Sequence, residues 1–168
     1  MQKVVDSYRF LDGITRRLAR KWAKMETPRE IPWTAMSKPL TECTVAMISS
    51  GGLALKSDQP FDQEGERQNP WWGDPSYRVL PNTATEEDIE VYHLHVDPRF
   101  AKEDLNCLLP LQRLKELEES GEIGISAPSH YSFMGYIMDP EELLEKTAPA
   151  IIRNLQEDEV DVVVLVPA

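Results

Sequence analysis

The sequence has few cysteines, no long hydrophobic run and little positive charge. Its two cysteines, Cys43 and Cys107, are too few and too far apart for a disulfide framework or a CxxC motif. They suit a reducing compartment, in which a lone thiol is usually a small buried group. No apolar run approaches the roughly 20 residues that span a bilayer. Because charged residues also interrupt residues 1–22, no secretory signal is expected and the predicted location is cytoplasmic.

Positive charge is scarce overall but concentrated at one end. The 168-residue chain has a net charge of −11, yet residues 1–25 contain seven Lys and Arg against two Asp, a balance of +5. Apolar residues at spacings of three and four predict a basic amphipathic helix in residues 1–26. Such a helix either binds nucleic acid or an acidic membrane, or packs against its own acidic domain or a partner subunit. The lack of interleaved aromatic residues favours packing, so neither nucleic acid nor membrane is an expected partner.

The rest of the chain divides into a linker and a domain. Residues 27–42 contain three prolines and predict an extended linker, and residues 43–168 predict an α/β domain. Strand-like stretches at 43–50 and 89–96 alternate with helical stretches that begin near Pro110 and Asp139. The last residues, VDVVVLVPA, predict a buried strand. The predicted fold is therefore an α/β three-layer sandwich with a mainly parallel sheet and flanking helices, incomplete at the C-terminus because no helix covers the last strand.

One stretch, YHLHVD, places two histidines and an aspartate at alternate positions. On a strand His93, His95 and Asp97 would project from one face. Such a set transfers protons or holds a transition metal. The alternative is that both histidines are ordinary core residues and that Asp97 forms a turn. Proton transfer is favoured over metal binding, because the ligand set is not complete.

Further candidates lie in predicted loops. Cys107 precedes a helix, where a thiol can have a lowered pKa, although a structural role is commoner. Backbone amides after the first strand, at a glycine pair, can approach a ligand closely. Residues 56–81 predict a long functional loop in which Arg78 would clamp a substrate carboxylate. The candidate substrate-binding residues are Gly51, Gly52, Lys56, Asp74, Ser76, Arg78, His130 and Met134, the last two in a predicted loop after a strand.

Several stretches occur together, and in this order, in one known family. They are LTECTVAMISSGGLALKSDQPFD, GDPSYRVLP, HLHVD, KEDLNCLLPLQRLKEL, GEIGISAPSHYSFMGYI and VDVVVLVP. Over about residues 30–168 the chain resembles the selenoprotein B subunits of glycine, sarcosine, betaine and D-proline reductases. The most distinctive motifs are the Asn106-Cys107 pair with Pro110 and Arg113, and the triplet Phe133-Met134-Gly135.

The resemblance implies reductive cleavage of a C–N bond in a small amine or amino acid, with thiol/disulfide electron-acceptor chemistry. Family members use a selenocysteine, or a cysteine in its place, in the loop after the strand that matches VDVVVLVP. A selenocysteine encoded by UGA is therefore expected after Ala168, and the chain as given is expected to be truncated and inactive. No cofactor is expected within it. The implied partners are a small-molecule substrate, a thioredoxin-like or dithiol electron donor, and other reductase subunits or a second copy.

Within this family His93, His95 and Asp97 are expected to transfer protons or position the substrate, with Cys107 as a secondary thiol. Two alternatives remain. The chain is a non-catalytic binding or accessory subunit, or it binds a metal through His93, His95 and Asp97. The basic N-terminal segment and the RQNPWW stretch differ from the clostridial amino-acid reductases, so the substrate stays open.

Overall fold

The computed structural model describes residues 12–25, 34–69 and 72–168, and the chain divides into two units, Met1–Met36 and Ser37–Ala168. In the first unit, helix α1 spans Gly13–Met25. Asp12 caps it, since its Oδ1 accepts hydrogen bonds from the backbone amides of Ile14 at 2.9 Å and Thr15 at 3.1 Å. Residues 1–11, the first part of the predicted helix, lie outside the described residues. So do residues 26–33, which include the first part of the predicted linker.

The second unit is built on a sheet whose central strand is β1, Thr44–Ser49. On one side β1 pairs in parallel with the last strand, Val162–Val166. On the other side it pairs in parallel first with Ile125–Ser126 and then with Ser129–Phe133. Tyr77–Pro81 pairs antiparallel with the latter strand. The predicted α/β fold is confirmed, with a sheet that is mixed because one edge strand is antiparallel.

The strands are numbered in chain order. In the central sheet, β3 is Tyr77–Pro81, β5 is Ile125–Ser126, β6 is Ser129–Phe133 and β7 is Val162–Val166. A second sheet contains only β2, Leu53–Leu55, and β4, Ile89–Val91, which pair antiparallel. The chain therefore leaves β4 at Val91, and the strand predicted over 89–96 is wrong in its second half. The cause is local, because Asp97 and Pro98 begin a helix.

Four helices follow in the second unit: α2 (Gln63–Gln68), α3 (Pro98–Glu103), α4 (Leu111–Glu119) and α5 (Ala148–Glu157). Gly121 ends the α4 segment in a left-handed conformation, φ +71°, as its position predicts. A π-helical turn, Leu143–Thr147, lies directly before α5, where Pro149 lacks the amide hydrogen that a continuous α-helix needs. Residues 56–81 contain α2 and β3, so the prediction of one long loop there is wrong.

Alternate residues of β1 contribute to cores on opposite faces of the sheet. Val45 and Met47 belong to a core with residues of α3 and α4, including Leu111 and Leu114. Ala46 packs on the other face with Ile151 and Leu155 of α5. The period of two along β1 therefore produces the expected layers of helix, sheet and helix.

The valine-rich β7 forms where the sequence predicts a strand, but its burial differs from the prediction. Among the described residues it pairs only with β1, and Val163, Val164 and Leu165 are 37%, 42% and 72% exposed. Val162 and Val166 pack against the core that contains Val45. The strand is thus an edge strand with exposed apolar side chains. None of the described helices is long and apolar enough to cross a lipid bilayer.

Candidate functional site

The carboxyl ends of β1, β6 and β7 lie at the same edge of the central sheet, because these strands run parallel to one another. In open α/β sheets ligands bind at this edge. Ser50, which follows β1, joins two of the strands. Its backbone N–H donates to the carbonyl of Val166 at 3.1 Å, and its Oγ accepts from the backbone N–H of Ala168 at 2.9 Å. The chain therefore leaves β7 directly beside Ser50.

The glycine pair after Ser50 allows close packing. Gly52 has φ +61°, and a Cβ there would lie 2.5 Å from Sδ of Met134 and 3.0 Å from the backbone nitrogen of His93. Both glycine amides are already occupied: Gly51 donates to Oγ of Ser49 and Gly52 to the carbonyl of Phe133, each at 3.0 Å. The glycine pair therefore lets the backbone pack closely against His93. The predicted contact between these glycines and a ligand stays a prediction.

His93 lies under this edge and is 7% exposed. Its Nδ1 accepts a hydrogen bond from the backbone amide of His95 at 3.1 Å, which assigns the hydrogen of the neutral ring to Nε2. A Cβ on Gly135 would lie 2.6 Å from Nε2 of His93 and 2.9 Å from the carbonyl oxygen of Ser50. Burial, and then the nearby His95, lower the pKa of His93, so its ring is a neutral Nε2–H donor at pH 7.

His95 extends outward from the same turn. Its side chain is 57% exposed. The ring centroid lies 4.7 Å from that of Tyr136 and 5.8 Å from that of His93. On its inner side, Nε2 is 3.6 Å from Oε1 of Glu66. His95 is therefore a titratable group that joins a buried carboxyl to solvent.

Glu66 was not expected at a site. It lies on α2 and is 4% exposed, and among the described residues neither carboxyl oxygen has a hydrogen-bond partner. Burial raises its pKa, opposed by the charges of His95 and Arg67. The available signal was Asp62, whose Oδ1 caps α2 by accepting from Gly65 at 2.8 Å. A helix that begins after Asp62 contains Glu66, and the prediction of a loop over residues 56–81 missed this helix.

Asp97 does not join the two histidines. Its Oδ1 accepts from the backbone amide of Arg99 at 3.0 Å, which caps α3, and its Oδ2 lies 2.6 Å from Nη2 of the same arginine. These bonds lower the pKa of Asp97 to about 2. Within the described residues no three His, Cys, Asp or Glu side chains are placed to hold a metal. The metal-site hypothesis for His93, His95 and Asp97 is therefore wrong in its geometry, since a cap replaces the third ligand.

Cys107 lies in the 3₁₀ turn Leu105–Cys107, before α4, and is exposed. Partial burial of the sulfur, and then the carboxylate of Asp104, raise its pKa. The expectation of a lowered pKa is wrong, because burial and that carboxylate both disfavour the thiolate. The next residue does reach the sheet edge: the carbonyl of Leu108 accepts from Oγ of Ser49 at 2.7 Å.

Asp74, Ser76 and Arg78 lie together but are occupied with one another and with the backbone. Oδ1 of Asp74 accepts from the amide of Ser76, and its Oδ2 accepts from the amide of Asp62, each at 2.9 Å. The guanidinium of Arg78 donates to Oγ of Ser76 at 3.0 Å and lies 4.1 Å from the centroid of the Phe61 ring. It also donates to the carbonyls of Gln59, Pro60 and Tyr77. We call these three side chains the Asp74–Arg78 network.

The other predicted binding residues have structural contacts. Lys56 donates to the carbonyl of Glu87, and Met134 is buried with Ala54 and Phe61. His130 lies in β6, so its placement in a loop is wrong. It is fully buried, and its Nδ1 accepts from the amide of Met47 at 3.0 Å. Burial lowers the pKa of His130 to about 4, and the ring is a neutral core group.

The side chains that do converge are Glu66, His93 and His95, against the backbone of Ser50, Gly52 and Gly135. We call these six residues the sheet-edge site. It offers a neutral imidazole donor, a half-exposed imidazole and a buried carboxyl group beside the exit of β7. Such a set can bind a polar ligand and move protons. The sequence predicts both histidines of this set, but the fold supplies the carboxyl from another element.

Comparison with known proteins points to one family. The sequence profile of glycine/sarcosine/betaine reductase selenoprotein B matches residues 14–168. The chain is 35% identical to the D-proline reductase subunit gamma of Acetoanaerobium sticklandii over 133 residues, which cover 79% of this chain and 52% of that protein. It is 27% identical to the glycine reductase complex component B subunit gamma of Carboxydothermus hydrogenoformans over 135 residues, 80% of this chain and 30% of that protein.

A third relative is the betaine reductase complex component B subunit beta of Peptoclostridium acidaminophilum. It is 27% identical over 164 residues, which cover 95% of this chain and 36% of that protein. The chain thus spans about half or less of the length of these curated relatives. No solved structure matches it.

Proposed function

Because the chain belongs to the glycine/sarcosine/betaine reductase selenoprotein B family, we propose that it serves a multi-subunit reductase that cleaves a C–N bond in a small amine or amino acid. Its relatives are named as subunits of D-proline reductase and of glycine and betaine reductase complexes. The proposed partners are other reductase subunits, a small-molecule substrate and a thioredoxin-like or dithiol electron donor.

The observation that carries this proposal is the contact between Ser50 and the end of β7. The resemblance places the reactive selenocysteine or cysteine after the strand that matches β7. The amide of Ala168 is bonded to Ser50, and the carbonyl of Ser50 faces the same point beside Gly135 as Nε2 of His93. These contacts support the proposal that a selenol or thiol after the strand matching β7 would act near Nε2 of His93, which would serve as the proton donor.

The chemistry sets what these residues must do. Reductive cleavage of a C–N bond consumes two electrons and two protons, and a pair of thiol or selenol groups supplies the electrons as it is oxidised to a disulfide or selenosulfide. A dithiol donor then reduces that bond again. The departing amine nitrogen has to gain a proton, which a positioned imidazole provides. We assign binding through Nε2–H to His93 and proton transfer to His95, which reaches solvent.

The test uses the assembled reductase with its partner subunits and a dithiol donor. We expect His95→Gln to lower kcat by about 10²–10³-fold, in the range of a lost acid–base catalyst. We expect His93→Gln to raise KM more than it lowers kcat, because the neutral donor acts in binding. Arg153→Gln, an exposed change on α5, is the matched control. Unchanged turnover in both histidine variants would remove the sheet-edge site from the mechanism.

A second candidate function is a non-catalytic binding subunit, and the exposed apolar side chains of β7 favour it. Val164 and Leu165 lie on an edge strand and are 42% and 72% exposed. This role predicts that Leu165→Lys weakens assembly of the reductase while both histidine variants keep full turnover. Loss of turnover in His95→Gln with intact assembly would instead support the catalytic role.

A further inference from the structure

Glu66 is buried like a core residue but lacks the contacts that make a buried carboxyl a structural group. It is 4% exposed, and neither oxygen has a hydrogen-bond partner in the part of the chain that the structure describes. A carboxylate taken out of water without hydrogen bonds is strongly disfavoured, and in proteins such a group is paired or takes up a proton. Asp74 shows the ordinary solution, since it is 9% exposed and accepts from two backbone amides.

Among the described residues, the charges of two groups, Arg67 and His95, act on Glu66. From its own helix Arg67 acts on it through its charge, and Arg67 also lies 4.0 Å from Glu64. From the turn after β4, Nε2 of His95 approaches Oε1 to 3.6 Å. His93 and Tyr136 contact the ring of His95 from its other sides. Within the described part of the chain, His95 is thus the group through which Glu66 can exchange a proton.

The distance between the two groups suits exchange. Hydrogen bonds from nitrogen to oxygen are about 2.9 Å long, so a movement of about 0.7 Å brings Nε2 of His95 onto the carboxyl. The ring of His95 is half exposed, and catalytic hydrogen bonds often tighten only when a ligand is bound. The ring then lies between a buried acid and the solvent at the sheet edge.

We propose that Glu66 and His95 form a proton-exchange pair that holds one labile proton between Oε1 and Nε2 and delivers it through His95 to a ligand at the sheet-edge site. The proton moves from the carboxylic acid to the imidazole, which leaves carboxylate and imidazolium. The imidazolium then protonates the ligand, and the pair recovers a proton from water through the exposed face of His95. Only the identity of the ligand, an amine nitrogen, rests on the proposed function.

The first test follows the carboxyl groups by ¹³C NMR in the full chain with labelled glutamate. We expect one glutamate to titrate above the ordinary value of 4.5, and its resonance to disappear in Glu66→Gln. In His95→Gln this titration should move to still higher pH, because the charge of His95 lowers the pKa of Glu66. Glu64→Gln, on the exposed side of the same helix, should change neither.

The second test follows the imidazole resonances of His95 against pH. We expect Glu66→Gln to change this dependence and Glu64→Gln to leave it as in the wild type. An unchanged Glu66 titration in His95→Gln, or an unchanged His95 pH dependence in Glu66→Gln, would overturn the pair. His95 is exposed, so His95→Gln is expected to fold even where a change at Glu66 does not, and the carboxyl readout remains available.

Activity of the assembled reductase separates this inference from the proposed function. If the pair is correct, Glu66→Gln shifts the pH profile of kcat and lowers its maximum, with KM little changed. Coupled titrations in a chain whose assembled complex cleaves no C–N bond would refute the proposed function and leave the pair standing. Independent titrations, with turnover that depends on His95 but not on Glu66, would refute the pair alone.

Discussion

Two polar regions of this molecule lie close together along the chain and differ in how their charges are satisfied. In the Asp74–Arg78 network the carboxylate accepts from backbone amides, and the guanidinium donates to three backbone carbonyls and a hydroxyl. In the sheet-edge site the side chain of Glu66 has no hydrogen bond to any described residue, and His95 is half exposed. The Asp74–Arg78 network stabilises the backbone, whereas the carboxyl and imidazole groups of the sheet-edge site remain available to bind protons.

The two regions are physically connected, which makes their difference informative. Asp74 accepts from the amide of Asp62, and Asp62 is the N-cap of the helix that carries Glu66. The satisfied network thus fixes the position of the unsatisfied carboxyl. Buried polar groups are normally all paired, and an exception in a family of enzymes indicates function more strongly than a complete network does.

The largest effect is expected from closing the space at the sheet edge. In Gly52→Ala the added Cβ would meet Sδ of Met134 at 2.5 Å and the backbone of His93 at 3.0 Å, at φ +61°. Strain and overpacking together are expected to lower the free energy of unfolding by about 3 kcal/mol. Urea denaturation measures this change. Gly121→Ala has a similar positive φ but no neighbour within 4 Å, and is expected to cost only about 1 kcal/mol. Equal losses in the two variants would show that packing against His93 is unimportant.

A smaller effect is expected from breaking the Asp74–Arg78 network. Asp74→Ala leaves the amides of Asp62 and Ser76 without acceptors, and we expect a loss of about 2 kcal/mol in the free energy of unfolding. Because Asp62 caps α2, the loss should include local opening of that helix. Hydrogen exchange at Gly65 is therefore expected to accelerate more than exchange in α5. Uniform acceleration across the domain would instead mean that the network does not support α2.

Sequence reasoning recovered the elements that have strong local patterns. The valines of β7, the apolar β1 and the proline-to-glycine boundaries of α4 each carry their own signal. It failed over residues 92–97, where a local helix-start signal was stronger than the strand-like alternation. The alternation of His93, His95 and Asp97 looks like a strand, but the Asp-Pro start of α3 ends β4 before it.

The site could be predicted only in part, because tertiary packing supplies its carboxyl group. Both histidines were found from their residue type, because imidazole is rare in this chain and titrates near neutral pH. Glu66 gives no such signal, since one glutamate among 29 acidic residues becomes distinctive only when the fold buries it. His130 shows the converse error, a histidine in an expected loop that is a neutral core residue of β6.

The smallest expected effect in stability, and the most specific, is the pH dependence that Glu66 imposes. Its pKa is raised in the folded chain, so its protonated form favours folding: that contribution is complete below the unfolded value near 4.5 and is lost as pH rises through the folded pKa. Glu66→Gln removes this dependence. We expect the variant to match the wild type below pH 4.5 and to exceed it by up to about 1 kcal/mol at higher pH, because a buried carboxylate that accepts no hydrogen bond from the described residues is gone.

Asp97 supplies the opposite control. Its pKa is lowered to about 2, so its stabilising contribution is present above the unfolded value of 3.8 and is lost as pH falls. Asp97→Asn should therefore be less stable than the wild type at neutral pH and approach it near pH 2. Thermal unfolding of both variants from about pH 2 to pH 8 gives the two curves. If Glu66→Gln instead loses stability as pH rises, the carboxylate is paired in solution, and the distinction between a satisfied network and a proton-holding site no longer stands.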